Sequence, residues 1–152
     1  MKRKVRWTRC QPVGVMGLAL IVGFLSGCRD NISDKDIELV PLAEVRTLSS
    51  GDSSVVLIDP RSAQEFAQSR LPGARNVRLP DIADEPNAIP PELSGFKTFV
   101  VYGNDPGSAV ARAMTKRLLR AGAKNALLFS GGLSEWTAAG YPTEPGKAPT
   151  PK

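Results

Sequence analysis

The sequence contains no histidine and only two cysteines, Cys10 and Cys28. Zinc sites depend largely on cysteine and histidine ligands, and serine or cysteine nucleophiles are usually activated by a nearby histidine. Because both cysteines precede residue 29, residues 29–152 offer no thiol and can form no disulfide. A Cys/His metal site and a Ser–His or Cys–His catalytic pair are therefore excluded, and we expect neither a metal nor a cofactor.

The first 27 residues are predicted to be a secretory signal. Five basic residues precede an apolar segment of 13 residues, 13–25, which is shorter than the roughly 20 residues that a membrane-spanning helix needs. The four residues that end at Cys28, Leu-Ser-Gly-Cys, resemble a bacterial lipobox, in which the peptide is cleaved before a cysteine that carries the lipid. We expect lipid attachment at Cys28, followed by a polar tether, residues 28–36. An uncleaved anchor is the alternative.

Removing this signal changes the net charge. The whole chain has 20 basic and 15 acidic residues, with a formal net charge of +5. Five of the basic residues and none of the acidic ones lie in residues 1–27, so the remainder holds 15 of each. A neutral chain gives no support to nucleic-acid binding, which needs a basic face. The remaining 125 residues are enough for one domain with its own core.

Short apolar segments alternate with helical patterns along residues 37–143, which we expect to form one domain. Strands are predicted at 37–40, 55–58, 76–79, 98–102 and 126–129, and helices at 41–48, 62–69, 108–121 and around Trp136. Unbroken apolar runs are typical of strands buried on both faces. The pattern predicts an α/β fold with a mainly parallel sheet, followed by a proline-rich tail, residues 144–152, that should be disordered.

Two other segments carry specific expectations. The helix at 108–121 is predicted to bury Val110, Ala113, Met114, Leu118 and Ala121, and to expose Lys116, Arg117 and Arg120. These three basic residues and Lys124 are interpreted as a solvated face, with contact to anionic lipid as the alternative. Residues 80–95 contain four prolines and are expected to include a helical turn or to cover a binding face.

Two stretches resemble the signatures of rhodanese-like domains. The first, VVLIDPRSAQEFAQSRLPGARNVRLP, matches at Asp59, Arg61, Glu65, Phe66, Pro72, Gly73, Ala74 and Pro80. The second, residues 98–142, matches at Ala121, Gly122, Gly131, Gly132, Trp136, Gly140 and Pro142. In order, the matches cover about residues 38–142. The resemblance implies the rhodanese-like fold, a five-stranded, mainly parallel sheet flanked by helices.

The resemblance also locates an active site. Active members of the family carry a cysteine directly after the strand that ends here in Val-Val-Tyr, and they hold sulfur on it as a persulfide. Gly103 occupies that position in this chain. The resemblance therefore implies a domain of this family in which the catalytic cysteine is absent and no catalytic residue takes its place.

The loop that starts at Gly103 remains a candidate anion-binding loop. Its members are Gly103, Asn104, Asp105, Gly107 and Ser108. Backbone N–H groups and the N-terminus of the following helix favour a bound anion. A plain strand–helix connection is the alternative, since the loop contains a negative side chain and a proline without an N–H group. Ser108 is interpreted as a helix N-cap rather than a nucleophile.

Three charged residues form the second candidate constellation. Asp59, Arg61 and Glu65 could serve acid–base chemistry, but the resemblance implies a structural network that locks the turn after a strand, and Ser62 with Glu65 fits a capping box. Trp136 is interpreted as a core anchor rather than a stacking platform for a ligand. Arg70, where the family often has histidine, is interpreted as a surface change.

The sequence therefore predicts a non-catalytic rhodanese-like binding module, tethered to the membrane through lipid on Cys28. Its expected partners are a protein of the cell envelope or a small anion. The residue after Cys28 is Arg29 rather than the aspartate that resembles an inner-membrane retention signal, which favours the outer membrane, facing the periplasm, over the inner membrane. The alternative function is a sulfurtransferase-type or anion- or phosphoester-converting enzyme with an atypical loop that lacks cysteine.

Overall fold

Within residues 32–145, the domain contains five strands and four α-helices. A computed structural model describes residues 32–145, so the predicted signal peptide, Cys28 and residues 146–152 lie outside the described residues. The elements are β1 (Glu38–Leu39), α1 (Leu42–Ser49), β2 (Val55–Asp59), α2 (Ala63–Gln68), β3 (Arg75–Asn76), β4 (Thr98–Tyr102), α3 (Ala109–Arg120), β5 (Asn125–Phe129) and α4 (Gly132–Ala138). Short 3₁₀ helices occur at Asp34–Asp36, Leu79–Asp81 and Pro91–Leu93. Within residues 32–145, no helix combines the length and apolar character that crossing a bilayer requires.

The strands form one parallel sheet in the order β1-β5-β4-β2-β3. The central strand β4 pairs with β5 from Thr98↔Asn125 to Tyr102↔Phe129. The predicted α/β fold with a parallel sheet is confirmed. So is the predicted helical turn within residues 80–95, since the 3₁₀ helix Pro91–Leu93 lies there.

Side chains along each central strand alternate between two cores, which explains the unbroken apolar runs. In β4, Phe99 and Val101 face the core under α3, whereas Val100 and Tyr102 face the core under α1 and α4. We call these the α3 face and the α1/α4 face. Strands β2 and β5 alternate in the same way, so both sides of the sheet are covered.

Local signals in the sequence set several helix ends. The predicted capping box begins α2, because the Ser62 hydroxyl accepts from the Glu65 N–H and the Glu65 carboxylate accepts from the Ser62 N–H. At the end of α3, Gly122 has a φ of 100°, a left-handed conformation that glycine adopts at little cost. The capping box was predicted from the sequence, and the turn at Gly122 leads from α3 toward β5.

The third strand differs from its prediction. Residues 76–79 were expected to be extended, but β3 spans only Arg75–Asn76. The Val77 N–H still bonds to the carbonyl of Asp59. The chain then turns because the Asp81 carboxylate accepts the Arg78 N–H at 2.8 Å, opening the 3₁₀ helix Leu79–Asp81.

The predicted buried face of α3 was partly wrong. Val110 is 36% exposed and Ala113 is half-buried, whereas Ala111 and Thr115 are buried beside Met114 and Leu118. Thr115 tolerates burial because its hydroxyl donates to the Ala111 carbonyl at 2.9 Å, within the helix. The sequence pattern treats threonine as a polar residue that faces solvent. The predicted face therefore included Val110 and Ala113 instead of Ala111 and Thr115.

The domain also extends further than predicted. Residue 144 was assigned to a disordered tail, but Glu144 exchanges two backbone hydrogen bonds of 3.0 Å with Arg70. Its carboxylate accepts the Gly73 N–H at 3.3 Å and pairs with Arg70. Glu144 therefore belongs to the folded domain. Residues 146–152 lie outside the described residues.

The corrected face of α3 can be checked by substitution. Met114→Ala should lower the free energy of unfolding by about 2–5 kcal/mol, because Met114 is fully buried and its truncation leaves a cavity. Val110→Ala on the same helix should change it by no more than about 0.5 kcal/mol. Urea denaturation followed by circular dichroism measures both values, and equal losses would contradict the assignment.

Candidate functional site

The carboxyl ends of the strands define the edge where ligands bind in open parallel sheets. The loop 103–108 lies at this edge, between β4 and α3. Gly103 is buried directly after Tyr102, and Gly107, with a φ of 89°, turns the chain toward Ser108. The structure thus places all five candidate loop residues at the expected edge.

The side chain of Ser108 lies against the backbone of Gly103. A Cβ atom built on Gly103 would overlap with Oγ and Cβ of Ser108, and it would lie 3.4 Å from the Cβ atom of Ala111. The neighbouring space, lined by residues including Gly107 and Arg112, is too small to admit a water molecule. The position predicted for a catalytic cysteine therefore has no room for a side chain in this loop conformation.

The backbone carbonyls of the loop are bonded to the first turn of α4. The Gly103 carbonyl accepts the Leu133 N–H, and the Asn104 carbonyl accepts the Ser134 N–H, both at 2.9 Å. Gly132 has a φ of 60°, and a Cβ atom on it would lie 2.6 Å from the Gly103 carbonyl oxygen. The first N–H groups of α4 are therefore directed at the protein's own loop, and only glycine fits at this contact.

Negatively charged side chains lie in the loop and on the helix that is bonded to it. Asp105 is exposed, and its carbonyl accepts the Ser108 N–H at 3.3 Å. The Glu135 side chain folds back against Gly131 at the start of α4. Ser108 is the N-cap of α3, as predicted, but its hydroxyl makes no capping hydrogen bond, because the side chain lies against Gly103. These features favour a plain connection over an anion cradle.

A buried ion pair lies beside the loop, on the α1/α4 face. The Arg61 Nε donates to Asp59 Oδ1 at 2.9 Å, and Nη2 donates to Oδ2 at 2.6 Å. The Tyr102 hydroxyl donates to Asp59 Oδ2 at 2.7 Å and accepts the Leu71 N–H at 3.1 Å. Arg61 also donates to the Ser69 carbonyl. Asp59, Arg61 and Tyr102 are 0%, 6% and 0% exposed, so the group has no access to substrate.

Burial and charge fix the protonation states in this network. Burial, followed by the nearby Asp59 carboxylate, raises the pKa of the Tyr102 hydroxyl, which therefore stays a donor. Burial alone would lower the pKa of the Arg61 guanidinium, but its hydrogen bonds and attraction to Asp59 outweigh burial and raise it. The network joins the Arg61 guanidinium and a neutral tyrosine to Asp59 and has the geometry of a structural lock.

Glu65 and Arg70 lie outside the hydrogen-bond network of Asp59, Arg61 and Tyr102. Glu65 caps α2, and its hydrogen bonds from Ser62 lower the pKa of its carboxyl group; it makes no direct hydrogen bond to Asp59 or Arg61. Arg70 was interpreted as a surface change, which was wrong. Its side chain is only 19% exposed, lies over the Phe66 ring at 4.7 Å and pairs with Glu144.

The other residues singled out in the sequence also make contacts within the protein. Trp136 is 3% exposed, packs against Tyr141 and donates from Nε1 to the Pro142 carbonyl, as expected for a core anchor. On α3, Lys116 pairs with Asp34, and Arg117 and Arg120 both pair with Asp84. Among residues 32–145, no group of cysteine, histidine, aspartate and glutamate side chains is arranged to hold a metal ion.

Two contributors to this edge were not predicted. No hydrogen-bond partner was predicted for Tyr102, although a tyrosine that ends a strand beside another strand ending in aspartate indicates a hydrogen bond between them. The contact of Ser108 with Gly103 has no comparable signal in the sequence. It depends on how tightly six loop residues turn, which residue types alone do not define.

A protein-family model matches most of the described domain. The model of the rhodanese-like domain family matches residues 42–139, whereas no curated protein matches the chain.

Several solved structures share the fold. A protein of unknown function from Rhodopseudomonas palustris, described as a possible tyrosine phosphatase, is 26% identical, with a TM-score of 0.60 over 72% of this chain and 86% of its own. A protein from Bacillus halodurans is 19% identical, with a TM-score of 0.58 over 72% and 78% of the two chains. Thiosulfate sulfurtransferase from Pseudomonas aeruginosa is 23% identical, with a TM-score of 0.54 over 75% of this chain but only 21% of its own.

The contact between Ser108 and Gly103 predicts that a second substitution restores the stability lost in the first. Gly103→Ala should lower the free energy of unfolding by about 1–3 kcal/mol, because the new methyl group must displace Ser108. Adding Ser108→Gly should recover most of this loss. Urea denaturation measures both effects.

Gly95→Ala is the matched control, since nothing lies within 4 Å of a Cβ atom there, and we expect a change within about 0.5 kcal/mol. A double variant no more stable than Gly103→Ala would show that Ser108 is not the obstacle.

Proposed function

The chain belongs to the rhodanese-like domain family, and from this membership we propose that it is a non-catalytic, membrane-tethered binding module of the bacterial cell envelope. The observation that carries the proposal is the contact between Ser108 and Gly103. The sulfur-carrying side chain of the family is absent, and the space it would need is filled. The chain keeps the family's fold, but Ser108 fills the space beside Gly103 that a catalytic side chain would need.

Sulfur transfer needs a nucleophile that can be attacked and released. Residues 29–152 contain no cysteine, and Ser108 has no histidine to activate it. The Gly103 and Asn104 carbonyls accept the first N–H groups of α4, so these donors are not directed at a substrate. An anion- or phosphoester-converting enzyme, which the description of one structural neighbour suggests, has less support because it would need the same site to be open.

A lipid on Cys28 would hold the domain close to the membrane. Ser33 and Asp36 form a capping box, and Asp34 pairs with Lys116 on α3, so the chain is fixed to the domain from residue 33 onward. Four residues lie between Cys28 and Ser33, so these two residues are at most about 18 Å apart. Each buried CH₂ group contributes about 0.8 kcal/mol to anchoring, so several acyl chains hold firmly.

This geometry restricts the partners. A domain held within a short tether of the bilayer meets envelope proteins, and we propose such a protein as the partner. The outer membrane, facing the periplasm, is the proposed location because Arg29 follows Cys28. A small anion at the loop 103–108 is the weaker alternative, since that loop is closed and carries Asp105.

The direct test is a sulfur-transfer assay. The full chain should form no thiocyanate from thiosulfate and cyanide above a blank, because it lacks the persulfide-forming thiol. A variant with Cys10→Ser and Cys28→Ser controls for reaction at the two cysteines outside the domain. Thiocyanate production that persists in this variant would contradict the non-catalytic proposal.

The tether is tested by fractionation. Wild-type protein should sediment with membranes, and intact mass spectrometry should identify residues 28–152 with acyl chains. Cys28→Ala should remove the acylated species. Cys10→Ala, which changes the other cysteine of the N-terminal region, should leave both results unchanged. An acyl-free protein that remains bound to membranes would argue against lipid anchoring.

A further inference from the structure

An open groove lies at the amino ends of β4 and β5, at the edge of the sheet opposite the loop 103–108. We call it the amino-edge groove. Its volume is about 460 Å³, and its lining includes Ile89, Ser94, Phe96, Lys97, Phe99 and Lys124. The volume is within the range of about 300–1,000 Å³ that is typical of small-molecule sites.

The floor of the groove is apolar. Phe99 is 3% exposed and belongs to the core of the α3 face, whereas Ile89 and Phe96 pack against that core and are only half-buried. When a ligand covers apolar surface that was open to water, the complex is stabilised by about 25 cal/mol for each Å² buried. The floor therefore suits the apolar part of a ligand.

The walls are held by contacts within the protein. The Arg75 guanidinium lies 4.8 Å from the centre of the Phe96 ring and donates to the Glu92 carbonyl at 3.3 Å. At the other end, Asn87 approaches Gly122, with its Oδ1 atom 3.4 Å from where a Cβ atom would lie. These contacts hold the walls in place, which lowers the cost of binding.

Two lysines stand side by side at the rim. Thr98 and Asn125 are paired across β4 and β5, so Lys97 and Lys124 occupy the preceding register position on strands about 4.8 Å apart. Both lysines line the groove beside Phe99, which belongs to the core of the α3 face. Like charges at such neighbouring positions disfavour each other.

No carboxylate in residues 32–145 forms an ion pair with either lysine. Lys97 is a minor cause of the lowered pKa of Asp52, which is due mainly to hydrogen bonds from Ser54. Residues 146–152 carry no acidic side chain. An anionic group on a ligand would complement the two lysines.

We propose that the amino-edge groove binds a small amphipathic carboxylate, with an aryl or short acyl group on the apolar floor and its carboxylate between Lys97 and Lys124. This site is separate from the family's loop and depends neither on the tether nor on the absence of catalysis. A failure here would leave the proposed function untouched.

The probe is para-fluorophenylbutyrate, and the neutral para-fluorophenylbutanol is its matched control. The full chain is placed in phosphatidylcholine nanodiscs, and fluorine NMR titrations are corrected with empty nanodiscs. The carboxylate should bind at least about tenfold more tightly than the alcohol, the factor expected for a hydrogen bond between charged groups. Equal affinities would overturn the proposal.

Variants locate the binding. Lys97→Gln combined with Lys124→Gln should reduce carboxylate affinity about tenfold, to the level of the alcohol, whereas Lys35→Gln, an exposed lysine outside the groove, should have no effect. Ser94→Trp should fill the groove and weaken binding of both probes, with circular dichroism confirming the fold. Undiminished carboxylate binding in the double lysine variant, or undiminished binding of both probes in Ser94→Trp, would overturn the assignment.

Discussion

The buried carboxylate of Asp59 holds together three parts of the chain that are distant in sequence. It ends β2, accepts the Tyr102 hydroxyl from β4 and binds Arg61, which reaches the Ser69 carbonyl after α2. Removing a charge from water costs several kcal/mol unless partners replace the water. Here both oxygens accept protein hydrogen bonds, so the charge is tolerated only while these parts keep their positions. Because Gly103 follows Tyr102 directly, the same network fixes the start of the loop.

Features that depend on neighbouring residues were predictable from the sequence. The limits of β4, the capping box of α2 and the left-handed Gly122 follow from runs or pairs of residues a few positions apart. Features that depend on contacts between distant segments were not. Thr115 is buried because its hydroxyl is satisfied inside the helix, and Glu144 is ordered because it meets Arg70. The missing cysteine was evident in the sequence, whereas the filling of its place by Ser108 required the packed loop.

The two edges of the sheet contrast in their surfaces. At the carboxyl edge, the loop carbonyls are bonded to α4, Ser108 covers Gly103, and Asp105 and Glu135 supply negative charge. At the amino edge, an apolar floor is open and two lysines line the groove. A parallel sheet usually concentrates its polar chemistry at the carboxyl edge. In this domain an open apolar groove also lies at the other edge.

The attachments at the two ends of the described domain lie on opposite sides of the sheet. Asp34 is fixed to Lys116 on the α3 face, whereas Glu144 is fixed to Arg70 beside Phe66, which packs on the α1/α4 face. A pulling force between these points would cross the thickness of the sheet instead of running along one layer. It would load the Asp34–Lys116 and Arg70–Glu144 contacts before the strand ladder between them. Under such a force, the contacts at the two ends would therefore yield before the core of the domain.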